Sequence, residues 1–239
     1  MQRSNAARHS KVPMKIEIYA DILCPWCYIG KRRLAAALGR IADRDRIQVV
    51  WRSHELAPQE SKVPGLTAAE AMAGWWGEQA STRIIRIRAL GVAEGLELNL
   101  HRARPVNTFD AHRLCHLAAD HGLADTMMER LLHAYHTEGL NVAEPQTLER
   151  LGNEAGLDPT DVHTLLRSDD YAEHVRADER RAAQRGITGV PSLVIDGQPP
   201  VSGVQTPEEL HQLLNQRLTA LDSAAPAAST SSTQRQRAP

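Results

Sequence analysis

The chain has 239 residues, 42% of them hydrophobic and 24% charged, with a net charge of −1. That is length for one large domain or a domain carrying an insertion, and apolar material enough for a core without disulfide staples. It excludes a global basic field for nucleic acid or anionic lipid, and the odd count of three cysteines excludes a fully paired disulfide scaffold.

Residues 1–12 carry positive charge with no apolar run behind them, so they read as a disordered tail and not as a secretory signal. No window approaches 18 consecutive apolar residues, so no transmembrane helix is expected. The expected compartment is the cytoplasm, where a cysteine pair is more often catalytic or metal-binding than structural. Residues 14–20 (MKIEIYA) alternate and read as a strand. Residues 27–43 place Ile29, Leu34, Leu38 and Ile41 at helical spacing. Residues 46–53 read as a second strand with a continuous apolar middle, covered on both faces. Strand, helix and strand in succession make a right-handed parallel unit.

From Thr67 to about Arg185 strand signals vanish. Thr67 and Glu70 form a capping-box start, and helical patterns follow near 67–90, 107–121, 123–138, 145–155, 159–167 and 170–185. Asp158-Pro159 is an N-cap with proline behind it, and Gly122, Gly156 and Gly186 stand where helices close. Strand character returns at 192–196 and 200–203, a hairpin through Gly197. Thr206-Pro207-Glu208-Glu209 opens a last helix whose apolar face runs to Leu221. Residues 222–239 are Ser, Ala, Pro, Thr and Gln without periodicity and read as a second disordered tail. The organisation expected is α/β: one unit over 13–66 and 186–221, split by an all-helical insertion over 67–185.

Cys24-Pro25-Trp26-Cys27 lies between the first strand and the first helix. Two cysteines at i and i+3 on a first helical turn bring their sulfurs within reach of a small disulfide ring. The helix N-terminus favours a thiolate, so the first cysteine is expected below its free pKa. Pro25 suits the strand-to-helix corner, and Trp26 puts apolar surface beside the sulfurs for a substrate to touch. Two cysteines in a core turn would not need Pro-Trp between them. His112-x-x-x-His116, with Cys115 between, has zinc-like spacing. But about 85 residues separate His112 from Cys27, which is not the spacing of a zinc finger, and no metal site is expected.

Four segments carry a family resemblance: Asp21 to Lys31 (DILCPWCYIGK), Asn107-Thr108 with Ala111 to Leu114, Gly186 to Ser192 (GITGVPS), and Ser202 to Gln205. Over about 14–221 the chain resembles the FrnE-like branch of the DsbA family of thiol–disulfide oxidoreductases. That resemblance implies a thioredoxin-like fold (βαβ … ββα) with a large all-helical insertion. It implies a cis Pro191 beside the cysteines, with Val190 offering backbone groups to a substrate strand. It also implies that the insertion brings Asn107 and His112 to the site as substrate-contact residues.

The expected activity is thiol–disulfide exchange or disulfide isomerisation. Cys24 is the nucleophile, Cys27 the resolving thiol, and Pro25, Trp26, Val190 and Pro191 shape the site. The redox group is the Cys24–Cys27 disulfide itself, with no cofactor and with glutathione as a candidate co-substrate. Partners are thiol- or disulfide-containing proteins or small molecules, with no nucleic acid and no membrane. A glutathione-dependent isomerase or transferase of the same fold is one alternative. Such proteins carry serine at the first cysteine position and an Asp-Arg pair after the last hairpin, where this chain has Cys24 and Val204-Gln205. A peptide-binding chaperone or biosynthetic partner with incidental redox activity is another. His54, after the second strand, is expected at the surface or partly packed, and Cys115 is expected as a buried free thiol. At least one of Trp75 and Trp76 is expected in the core of the insertion, and Arg83, Arg86 and Arg88 on a solvated helix face.

Overall fold

The computed structural model describes residues 12–224. The tail read over 1–12 lies outside the described residues except for Val12, and the second tail lies outside them beyond residue 224.

β1 (Met14–Ala20) is the inner strand on which the rest is built. It pairs in parallel with β2 (Ile47–Ser53), from Met14 opposite Ile47 to Ala20 opposite Ser53. α1 (Pro25–Leu38) makes the crossover. This helix stops before the expected residue 43, because the chain turns at Gly39 and a 3-10 turn at Arg44–Arg46 leads into β2. β3 (Ser192–Ile195) lies antiparallel on the other side of β1, and β4 (Val201–Ser202) lies antiparallel outside β3. The strand order is therefore β2-β1-β3-β4. Being flanked on both edges, β1 buries most of its residues, which explains its run of Met14, Ile16 and Ile18.

Seven helices make up the insertion: α2 (Ala68–Trp76), α3 (Ala80–Ala93), α4 (Phe109–Asp120), α5 (Ala124–His133), α6 (Pro145–Glu154), α7 (Pro159–Arg167) and α8 (Ala172–Gln184). The one helix expected over 67–90 is two. Gly77 sits at φ +52°, outside helical space, and the chain bends there. The reciprocal Thr67–Glu70 box forms as expected, and so does the Asp158 cap on Thr160. α5 runs on into a π-turn over Ala134–Glu138. Trp75 is 68% exposed, whereas Trp76 is half-buried with the Arg83 guanidinium 5.2 Å from its ring centre.

α9 (Pro207–Ala224) closes the fold, capped by Thr206 and Glu209 in a second reciprocal box. It packs against α1 and β1. It also carries residues 222–224, so the helix outlasts the Leu221 boundary read from the apolar face. α5 and α8 pack against β2. One apolar cluster runs from Ile16 and Ile18 in the sheet through Leu114 and Leu131 in the insertion to Leu210 and Leu214.

Candidate active site

The corner after β1 is built by three residues, Asp21-Ile22-Leu23, that turn the chain into α1. The Cys24 N–H donates to the Asp21 carbonyl at 3.2 Å. Cys24 is the N-cap in extended conformation (φ −84°, ψ 111°), and Pro25 takes the first helical position, where its missing N–H costs nothing. The Cys27 N–H then donates to the Cys24 carbonyl at 3.0 Å, which closes the first turn. Cys24 and Cys27 lie close together as free thiols. Exposure differs between them, 4% for Cys24 and 1% for Cys27.

The Val190–Pro191 bond is cis. The Cys24 Sγ–H donates to the Val190 carbonyl at 3.5 Å, across 166 residues of sequence. Gly30, one turn after Cys27, makes this approach possible. A Cβ there would stand 2.7 Å from the Gly203 carbonyl oxygen and 2.9 Å from Pro191 Cγ. The structure thus brings Cys24, Pro25, Trp26, Cys27, Val190 and Pro191 to one place. Burial, together with the neighbouring Cys24 sulfur, pushes the Cys27 thiol well up, so its proton is held.

Asp21 is fully buried behind the pair. Its Oδ2 accepts from the Leu56 N–H at 2.7 Å, and its Oδ1 accepts from Thr108 Oγ1 at 2.9 Å and meets His112 Nε2 at 3.3 Å. Burial alone would raise its pKa, but these bonds and the His112 imidazole outweigh burial and hold it below the ordinary carboxylate value. His112 is 1% exposed, so the expected substrate contact gives way to a partner of Asp21 beneath the site. Asn107 is likewise committed to structure. Its amide donates to the Pro58 carbonyl at 3.0 Å and accepts from the Phe109 N–H at 3.1 Å, tying the 58–61 loop to the start of α4. His116, four residues past His112, faces Ser53 Oγ at 3.1 Å and Asp178 at 3.3 Å, so the two histidines serve different carboxylates. Cys115 is buried, and burial pushes its thiol to about 12.

Three further polar groups, His136, His54 and Glu55, are wholly or partly buried. His136 is fully buried on the π-turn, with its ring stacked at 6.0 Å on Tyr28 and edge-on at 4.8 Å to Tyr135. Burial drives it to about 4 against the pull of the Ile22 and Cys24 carbonyls, so it is neutral. His54 holds a buried Nδ1 without a hydrogen bond, and burial lowers its pKa. Glu55, beside it, is raised to about 7, first by burial and then by the neighbouring Glu179 carboxyl. The only sequence signal for Asp21 was a charge inside the apolar run that ends in Cys24.

A cleft of about 770 Å³ opens next to this corner, between Trp26 and Leu90 on one side and the 186–192 loop and last hairpin on the other. A family model described as a DSBA-like thioredoxin domain matches residues 15–215. The chain belongs to that family. It is similar to the probable DsbA oxidoreductase SCO1869 from Streptomyces coelicolor. That structure is 38% identical at a TM-score of 0.80 and covers 85% of this chain and 89% of its own. The uncharacterized protein YwbO of Bacillus subtilis is 27% identical over 182 residues, 75% of this chain and 86% of that protein. The cytosolic disulfide reductase DsbM from Pseudomonas aeruginosa, 20% identical, shares the fold at a TM-score of 0.60 over 86% of this chain and 99% of its own. The thioredoxin-like fold with helical insertion is therefore shared with the family, and the match to a DsbA oxidoreductase supports a thiol–disulfide redox enzyme.

Proposed function

We propose that the chain exchanges disulfides with cysteine-containing proteins in the cytoplasm through the Cys24–Cys27 pair. One observation carries the reading: a free Cys24 thiol at the start of α1 lies against the Val190 carbonyl while Cys27 is buried behind it with its proton held. The Cys24 thiolate attacks a substrate disulfide, forming a mixed disulfide and releasing the first substrate thiolate. Cys27 then attacks Cys24 Sγ; the second substrate sulfur leaves and takes up the proton that Cys27 loses. The product is the Cys24–Cys27 disulfide, and reduction by a cellular thiol such as glutathione reverses both steps. For isomerisation, a second substrate thiol displaces Cys24 in place of Cys27.

No resident cofactor is needed, because the two sulfurs carry both electrons. No helix among the described residues is long and apolar enough to cross a membrane. Pro25 and Trp26 between the cysteines point to a potential inside the range of about −270 to −120 mV spanned by related centres. Cys27→Ser tests the reading. The variant should accumulate mixed disulfides with substrate proteins, visible as reducible high-mass bands, and Cys24→Ser should abolish them. Absence of trapped species under mild oxidation would overturn it.

A further inference from the structure

The three arginines of α3 are all exposed, as expected, but they face different surroundings. Arg83 lies over the Trp76 ring and donates to Gln79 at 2.8 Å. Arg86, one turn before Leu90, lines the cleft beside Trp26 and the Val190–Pro191 loop. The cleft holds a second arginine, Arg33, but that charge is spent. Its Nε bonds Glu94 at 2.7 Å and its Nη1 donates to the Val204 carbonyl at 2.8 Å. Arg86 is exposed and has no hydrogen-bond or ion-pair partner among the described residues. No carboxylate lines the cleft. A segment entering it therefore meets an apolar wall, Trp26 and Leu90, and one uncompensated positive charge.

We propose that Arg86 is a specificity residue that favours polypeptide segments carrying an acidic residue next to the reacting cysteine. The proposal rests on the exchange reading above and names the substrate class of the same site. Complementary charge at a partly enclosed cleft raises the encounter rate and orients the segment, while a like charge repels it. Because Arg86 is exposed, the effect is that of a surface ion pair, roughly two- to fivefold between acidic and neutral flanks, and salt weakens it.

The test uses the reduced full chain and one short peptide whose single cysteine is disulfide-linked to thionitrobenzoate, with Glu, Gln or Lys on both sides of the cysteine. Cys24 bonds to the peptide sulfur, the peptide–thionitrobenzoate bond breaks, and the departing coloured thiolate takes the electron pair. Its release gives a second-order rate constant. The wild-type order should be Glu above Gln above Lys at low salt, converging at high salt. Arg86→Ala should bring the Glu-to-Lys ratio towards one, and Arg86→Glu should invert it. Arg88→Glu, on the same helix and outside the cleft, should keep the wild-type order. A flat wild-type order, or a Glu preference that survives Arg86→Glu, would overturn the proposal while leaving the exchange reading intact. No release from any of the three peptides would overturn both.

Discussion

Asp21 is a carboxylate with no exposed surface, and it stays ionised because groups from three distant parts of the chain reach it. Leu56 supplies a backbone N–H, Thr108 a hydroxyl and His112 an imidazole. A buried charge so satisfied fixes the strand end from which Cys24 hangs. Glu55 is the opposite case. Its carboxyl is buried, one oxygen has no hydrogen-bond partner, and the nearest cation, Arg176 at 3.4 Å, is shared with Glu179. Its pKa rises to about 7. The folded protein keeps a proton there that the unfolded chain releases near its ordinary 4.5. Stability from this group is therefore greatest below about 4.5 and falls as pH rises towards 7. Glu55→Gln should remove a decline on the order of 1–3 kcal/mol between pH 5 and 8, read from urea midpoints. Asp21, Asp110 and Asp178 have lowered pKa values and act at more acid pH, but His136 and His54, lowered by burial, add stability as pH rises towards 6.5, so the Glu55 effect is read as the difference between wild type and Glu55→Gln. A difference between the wild-type and Glu55→Gln midpoints that stays constant from about pH 5 to 8 would contradict the assignment.

At the scale of elements, α1 does two jobs with one sequence. Its first turn presents the cysteines, and its second packs against Pro191 and Gly203 through the bare Cα of Gly30. The facing atoms are backbone and a proline ring, which cannot swing away. Gly30→Ala should cost about 1–3 kcal/mol of stability and loosen the Cys24–Val190 contact. Unchanged denaturation and an unchanged exchange rate in that variant would show that the approach is not needed. The elements misread from the sequence share a cause. Helical periodicity ran through Gly77 and past Leu38, but a positive φ at the first and the return to β2 at the second broke the helices. The π-turn that carries His136 leaves no mark on an apolar pattern, since one extra residue per turn alters hydrogen bonding and not composition.

In the whole molecule, the insertion and the strand unit share one apolar cluster, and Lys31 of α1 is buried between Asp125 and Glu129 of α5 at 2.9 and 3.1 Å. Unfolding of either part would expose apolar surface of the other. Urea should therefore give one coincident transition by far-UV circular dichroism and by tryptophan fluorescence, which samples Trp26 and Trp51 in the strand unit and Trp75 and Trp76 in the insertion. Two separated midpoints would sink this view. What the sequence determined by itself was local: strand alternation, capped helix starts, and a cysteine pair placed by its neighbours at a strand-to-helix corner. The cis Pro191 and its place beside the pair came from the family resemblance. Only the tertiary structure decided who surrounds the pair. It put His112 and Asn107 into scaffolding, gave Asp21 its partners, and set the exposed Arg86 at the cleft. These outcomes depend on contacts between residues tens to more than a hundred positions apart. Hydrophobic periodicity and capping, which are settled within a few residues, carry no information about them.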